Sequence, residues 1–374
     1  MVTFLHTADW QLGMKGSGLG EAAELVSAGR IDGVGRILEI ASEAGADFVL
    51  AAGDLFESNQ IGPAIVEGLV RVLRAHPGVE IHAIPGNHDA AGPDSVWNRP
   101  LIKGVPHLKC HLEAGAVDLP GTGAVLHPCP VTTRFSTRDP LADLEDLAGR
   151  PGVHIALAHG HLATETFGAR EDEIHLPLDP AHVARAGLDY LALGHWHGTR
   201  IVEASDGVPR IAYAGTHERT SFEEKDAGNV LIVEIEEKGA PPRIRKRPVG
   251  RVAWADLSLR FEGDENLHRL RSLLEETEAD LLRVRLEGAL PAGLTAAYRQ
   301  LEENARGKFA HVRFDDDDLA WLAAPGEDFA IADAGLAKVR DALLDGLAGA
   351  GEEEAAARRE ALSIFKRTLR EEGL

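Results

Sequence analysis

The chain has 374 residues, 44% of them hydrophobic, and a formal net charge of −21. That length is too great for one small core and suits a large catalytic domain with a smaller companion. No apolar run approaches the length of a membrane span, and two cysteines, Cys110 and Cys129, exclude a disulfide framework or a thiolate zinc cluster. The N-terminus lacks the basic flank and apolar stretch of a secretion signal and leads directly into a strand, so no removed leader is expected. A cytoplasmic protein with no membrane partner is the simplest expectation.

The first segments alternate strand and helix. "VTFLH" reads as a strand, "RIDGVGRILEIASEAG" has helical apolar spacing, and "ADFVLAAG" is a buried strand. "PAIVEGLVRVLRAHP" is a helix opened by Pro63, and "VEIHAIPG" is a third strand. Such repetition implies parallel pairing, with ligands gathered at the carboxyl ends of the strands. After residue 95 the pattern loosens, then tightens into strands around 153–158, 188–193, 199–204, 209–213 and 228–235. Short turns such as Ser205-Asp206-Gly207 lead to the expectation that this second half is mostly antiparallel.

A boundary is expected near residue 250, after the basic stretch "PPRIRKRPVGR", itself read as a solvated strand. Residues 251–313 read as strand, helix, strand, helix, strand, and the acidic run Asp315–Asp318 as a solvated linker that ends this unit. Leu336, Val339, Leu343 and Leu347, then Leu362, Phe365 and Leu369, repeat at helical spacing on either side of "AGAGEEE". The domain expectation is therefore 1–250, 251–320 and a helical pair over 333–374.

Five strand ends carry a carboxylate, Asn or His: Asp9, Asp54, the pair Asn87 and His88, His159, and the pair His195 and His197. Two adjacent divalent ions need a bridging carboxylate, a ring of N and O ligands and a nearby acid, and this set supplies them. Asp54 is the expected bridge, with Asp9 and His197 completing one metal and Asn87, His159 and His195 the other. His159 is preferred to His161 because it follows the apolar run immediately. Gly86 and Gly194 are expected to allow sharp turns that push the next side chain outward. His88, next to a ligand, can face the substrate phosphate and protonate the leaving oxygen. The residues thus point to a two-metal phosphoesterase. His76, His107, His111, His154, His175 and His268 are assigned to ordinary surface or hydrogen-bonded roles.

These segments resemble the calcineurin-like metallophosphoesterase superfamily, whose pattern is D-x-H, G-D, G-N-H-D/E, H and G-H-x-H. Within it, "FLHTADWQLG", "GDLFES", "GNHD" and "GLDYLALGHWH…YAGT" are similar to the SbcD-type DNA repair nucleases, the nuclease subunits of SbcCD and Mre–Rad complexes. The resemblance covers about residues 3–235, and the unit after 250 resembles that family's capping domain. It implies an α/β (α+β) fold, a metallophosphoesterase β-sandwich flanked by helices with a small α/β cap and a C-terminal helical pair. It also implies two divalent metal ions, expected as manganese with magnesium, iron or zinc compatible. Asn87 would bind metal and His88 face the phosphate. DNA is the implied substrate, and an SbcC-like coiled-coil ABC ATPase the implied partner, bound through the terminal helices; a homodimer is compatible.

The chain departs from the pattern at Gln11, where an imidazole would bind the first metal, at Glu57, where some relatives have His, and at Thr216-His217-Glu218, where Ser-Pro-Glu is commoner. Gln11 can ligate through its carbonyl oxygen, but more weakly. A small-molecule phosphodiesterase or nucleotidase of the same superfamily is the competing expectation, favoured by the net charge. A catalytically weakened DNA-tethering subunit is another.

Overall fold

A computed structural model describes residues 1–16, 18–163, 176–321 and 334–345, with isolated positions beyond. The chain divides into two compact units, Met1–Val252 and Ala253–Leu374. The first opens with β1 (Val2–Thr7), α1 (Ala22–Glu43), β2 (Phe48–Ala52), α2 (Pro63–Ala75), β3 (Glu80–Ile84), α3 (Pro100–Lys103) and β4 (Leu108–Cys110). It continues through β5 (Val117–Leu119), β6 (Ala124–Cys129), β7 (Val153–His159), β8 (His161–Leu162), β9 (Pro177–Leu178) and α4 (Ala181–Ala186). Then come β10 (Tyr190–Gly194), β11 (Arg200–Val202), β12 (Ile211–Tyr213), β13 (Asn229–Ile235) and β14 (Arg243–Pro248).

One sheet has the order β14-β13-β1-β2-β3-β4, with β1 to β4 parallel and β13 antiparallel to both its neighbours. The other has the order β11-β12-β10-β7-β6-β5. Its four middle strands are parallel, and only the edge pairs β11/β12 and β5/β6 are antiparallel. This corrects the expectation of a mostly antiparallel second half. The turn at Ser205-Asp206-Gly207 serves the edge hairpin alone, while the longer connections bring β7 and β10 back in the same direction.

The sheets stack face to face over Phe4, Leu50, Ile84, Leu126, Ile155, Leu157 and Tyr190. Alternate residues of the same strands, such as Leu5, Val49 and Ile81, pack outward against Val34 and Ile37 of α1 and Leu69 and Leu73 of α2. On the far side Ala156, Ala158 and Leu191 pack with Leu141, Leu147 and Val183. Both faces of the middle strands are buried, which is why these segments read as unbroken apolar runs. Between the sheets, the buried His6 ring faces the Tyr190 hydroxyl at 3.0 Å and the Leu193 carbonyl at 3.2 Å. The architecture is a mixed α/β sandwich flanked by helices.

β14 lies at the edge of its sheet, and its cations meet acids: Arg243 and Arg245 reach Glu234, Lys246 reaches Asp226, and Arg247 lies 4.0 Å from Glu43.

The second unit contains β15 (Trp254–Phe261), α5 (Glu265–Glu276), β16 (Leu281–Leu290), α6 (Thr295–Lys308) and β17 (His311–Trp321), followed by α7 (Ala334–Asp345). Its parallel sheet, β15-β16-β17, packs Leu259, Val284 and Leu286 against Leu267 and Leu270 of α5 and Leu301 of α6. Asp315–Asp318 is not a linker but the middle of edge strand β17. The run is tolerated there because the Tyr298 hydroxyl donates to Asp316 at 3.3 Å, Arg313 pairs with Asp315, and a charged edge resists further strand pairing. The expected second tail helix around Leu362–Leu369 and the "AGAGEEE" junction lie outside the described residues, isolated positions apart. Among the described residues no helix is long and apolar enough to cross a membrane.

Candidate metal centre

The carboxyl ends of β1, β2 and β3 face those of β7 and β10, and the loops leaving them meet. Asp9 N donates to Gly53 O at 3.0 Å and Gln11 N to Asp54 O at 2.9 Å, so the first two loops run on together beyond their strands. Asp9 (φ 51°), Gln11 (φ 43°), Asp54 (φ 53°) and His195 (φ 104°) all sit in the left-handed region; Leu176 and Asp226 are the other non-glycine residues there among those described. Such backbone costs about 1–3 kcal/mol per residue and persists only where the surroundings over-determine it.

Glycines make room for the convergence. A Cβ on Gly86 would lie 2.1 Å from Asp54 Oδ1, and one on Gly194 would lie 2.0 Å from Ala52 O. Neither residue has a positive φ, so the expectation that they permit sharp turns is corrected: they permit close approach. Gly53 does both, with φ 82° and a Cβ position 2.5 Å from His159 Nδ1.

Around the resulting space, His159 Nε2 lies 3.3 Å from Asp54 Oδ2 and 2.9 Å from Asn87 Oδ1. His195 Nδ1 lies 3.1 Å from the same Asn87 oxygen, and its backbone N–H donates to both Asp9 oxygens at 3.1 Å. One donor atom each from Asp9, Asp54 and His159 falls within 4.8 Å of the others. His197 stands beside Gln11, with Nε2 to Nε2 at 3.2 Å. The His161 ring is 6.3 Å from that of His195. His88 is placed differently: its backbone N–H donates to Asp54 Oδ1 at 2.8 Å, and its Nδ1 to Glu57 O at 3.1 Å, so its ring is held by a loop carbonyl rather than by the cluster.

The donor chemistry fits metal ions. Metal–N and metal–O bonds of about 2.0–2.2 Å set neighbouring donors roughly 3 Å apart, as these are. His159 Nδ1 donates to Ala52 O at 2.8 Å, which keeps a proton on Nδ1 and leaves Nε2 as the nitrogen that would ligate an ion after losing its own proton. Burial pushes Asp9 up to about 6 against the pull of His159 and His197. For Asp54 the upward push of burial is overcome by His159, which holds it well below the usual carboxylate range. Burial lowers His159 but the Asp54 charge outweighs it, leaving it at about 9, while burial takes His195 down to about 3. Two buried carboxylates gathered with several imidazole nitrogens make a donor set suited to divalent cations, which would displace the ring protons on binding.

Three supporting residues were given no role by the sequence, although Asp89 closes the "GNHD" segment. Asp89 is fully buried and accepts from Gly86 N at 2.6 Å, Leu55 N at 3.0 Å and Phe56 N at 3.2 Å, tying two of the loops together. Burial, then the Asp54 charge, raises it to about 7. Arg30 of α1 is buried and clasps the next loop: Nε and Nη2 donate to Trp10 O at 2.9 and 2.6 Å, Nη2 to Asp9 O at 3.2 Å, and Nη1 to Glu218 O at 2.7 Å. Burial lowers it to about 10, so it stays charged at neutral pH. Its one sequence signal is the pair Gly29 and Gly33, small residues that let Glu218 and His217 close in. Glu224 binds His197 Nδ1. Thr216-His217-Glu218 belongs to the same framework: Thr216 Oγ1 is 2.8 Å from Asp9 O, and His217 Nε2 meets Arg30 O at 2.7 Å.

A calcineurin-like phosphoesterase family model matches residues 2–199, a span that takes in every residue just placed at the donor cluster. The chain belongs to that family. It is a phosphoesterase of a metal-dependent kind, and Asp9, Asp54 and His159 form its candidate metal site. A curated relative, the uncharacterized metallophosphoesterase YhaO of Bacillus subtilis (strain 168), is 23% identical over 318 residues, covering 79% of this chain and 74% of the relative. Among solved structures, TT1561 of Thermus thermophilus aligns with a TM-score of 0.43 and 13% identity, over 66% of this chain and 99% of that one. A dimetal phosphatase from Danio rerio aligns with a TM-score of 0.39 and 13% identity, over the same shares.

Proposed function

We propose that the protein is a two-metal phosphodiesterase that cuts DNA as the nuclease subunit of a complex with a coiled-coil ATPase. The observation that carries the chemistry is the division within the site. Asp54, Asn87, His159 and His195 crowd one space, while the neighbouring His88 meets Asp54 through its backbone N–H and ties its ring Nδ1 to Glu57 O rather than to those donors. Bound ions would supply an activated water and positive charge opposite the phosphate, manganese suiting an N/O donor set without thiolate. Asp54 would bridge, with Asp9, Gln11 and His197 on one side and Asn87, His159 and His195 on the other. His88 would hold the phosphate and give a proton from Nε2 to the leaving oxygen.

The DNA and partner assignments are supported by the "HTADWQLG" and "GLDYLALGHWH" segments, by the separate α/β unit, and by α7 with its charged tail, which a small-molecule enzyme does not need. One observation favours a second reading, a small-molecule phosphodiesterase or nucleotidase: the exposed cations of the basic strand β14 are already paired with acids, which partly cancels the positive charge a phosphate backbone would meet. Purified protein with manganese, offered single-stranded DNA, duplex DNA, bis-p-nitrophenyl phosphate and nucleotides, separates the two. DNA cleavage is expected; turnover of nucleotides with DNA untouched would replace the first reading by the second.

A further inference from the structure

Position 11 places a neutral amide, a weaker ligand than an imidazole, beside His197, so His197 is the aromatic donor on the Asp9 side. Its surroundings differ from those of His159. The His159 Nδ1 rests on a neutral carbonyl, Ala52 O, at 2.8 Å, whereas His197 Nδ1 is bound by the Glu224 carboxylate. That carboxylate is itself held in place. Thr220 N donates to Oε2 at 2.6 Å, the Thr220 hydroxyl binds Oε1, and Arg219 Nη2 donates to Glu224 O at 2.8 Å and Phe222 O at 3.2 Å. The Glu224 side chain is only 10% exposed.

We propose that Glu224 is a positioning residue that compensates for Gln11, making His197 a stronger ligand for the first metal. This rests on the two-metal reading above. A carboxylate on Nδ1–H fixes the tautomer with its lone pair on Nε2 and raises the basicity of that nitrogen. Nε2 is the atom that faces Gln11, 3.2 Å from the amide nitrogen. The charged partner therefore stands behind the imidazole whose neighbouring ligand is weak. The amide has to turn its oxygen toward an ion to ligate it, and Glu224 keeps His197 competent while it does so.

The test uses the full chain and manganese alone, read by calorimetric titration and by the electron paramagnetic resonance of bound manganese. Wild type is expected to bind two ions, one more weakly. Glu224→Gln should weaken the weaker site by about 10–100-fold, the usual effect of removing an outer partner of a metal-bound histidine. The tighter site should be unchanged, so one ion remains at limiting manganese. Gln11→His added to Glu224→Gln should restore the second ion, a rescue that a merely structural role for Glu224 would not give. Thr220→Ala, which loosens the carboxylate but keeps its charge, should give a smaller loss in the same site and serves if Glu224→Gln does not fold. Two ions bound with unchanged affinities in Glu224→Gln, or equal loss of both sites without rescue, would overturn the proposal. Wild type binding no manganese would instead bring down the two-metal reading, and this one with it.

Discussion

Arg30→Met should separate the framework of the site from its ligands. Methionine fills similar volume, so the cost arises from hydrogen bonds rather than a cavity. Three carbonyls lose a donor: Trp10 O, Asp9 O and Glu218 O. The Thr216 hydroxyl lies 2.8 Å from Asp9 O and 2.9 Å from Glu218 O and has one hydrogen, so it rescues one of them. Trp10 O and one other are left without a partner, at about 1–3 kcal/mol each, or roughly 2–6 kcal/mol together. Removing a buried charge offsets part of that, as the lowering of Arg30 by burial indicates, so the net falls near the lower half, about 2–4 kcal/mol. At about 2–4 °C per kcal/mol for a unit of this size, the metal-free melting midpoint should drop by about 4–16 °C. Manganese affinity should fall as well, because Asp9 and Gln11 lose what holds them in left-handed backbone. Circular dichroism melts with and without manganese measure both. A midpoint within about 2 °C of wild type and intact binding would refute the clasp.

Asp54→Ala should abolish manganese binding and turnover together, whereas His88→Ala should keep both ions and lose about a hundred- to ten-thousand-fold in turnover; equal metal loss in the two variants would remove His88 from the substrate side. Burial holds both His6 and His217 at about 3. Above about 6.5 folded and unfolded chains both carry these rings neutral; below it only the unfolded chain takes up protons, so stability falls with pH by roughly 1.4 kcal/mol per unit per ring. Asp89 and Asp9, raised by burial, gain stability over the same window, so the ring is isolated by comparison: a His217→Gln variant whose urea midpoint changes between pH 7.5 and pH 5 just as wild type does would contradict this. Deleting residues 333–374 should leave manganese-dependent turnover of bis-p-nitrophenyl phosphate and the melting midpoint nearly unchanged while abolishing co-purification with a coiled-coil ATPase; an inactive or unfolded product would assign the tail to the core.

What the sequence made legible was local. The strand, helix, strand, helix, strand order expected over 251–313 is the order of β15, α5, β16, α6 and β17, and β1, β2 and β7 coincide with short apolar runs that end at polar residues. Strand direction was not legible in the second sheet, because direction depends on where a long connection returns the chain, and a turn such as Ser205-Asp206-Gly207 informs only its own hairpin. Asp315–Asp318 misled because charge alone does not distinguish a linker from an exposed strand edge. At the site, position was readable: Asp9, Asp54, Asn87 and His195 follow strands, His159 ends one, and the structure brings them together. Arg30 and Glu224 work through contacts with distant or backbone partners, to which no spacing rule points; Asp89 stands in the "GNHD" segment, but its role shows only in the backbone donors it gathers.

The order of the strands has a consequence for synthesis of the chain. β1 lies inside its sheet, with β2 on one side and β13 on the other, Val2 pairing with Ile235. As the protein leaves the ribosome, its first strand must therefore wait for one of the last of its unit, with an open hydrogen-bonding edge in the meantime. Asp9, Asp54 and Asn87 emerge early on that unfinished sheet, but His159, His195 and His197 belong to the opposing one. On the two-metal reading a nascent chain thus carries half of the donor set, and an ion would join donors from both sheets only once these have met.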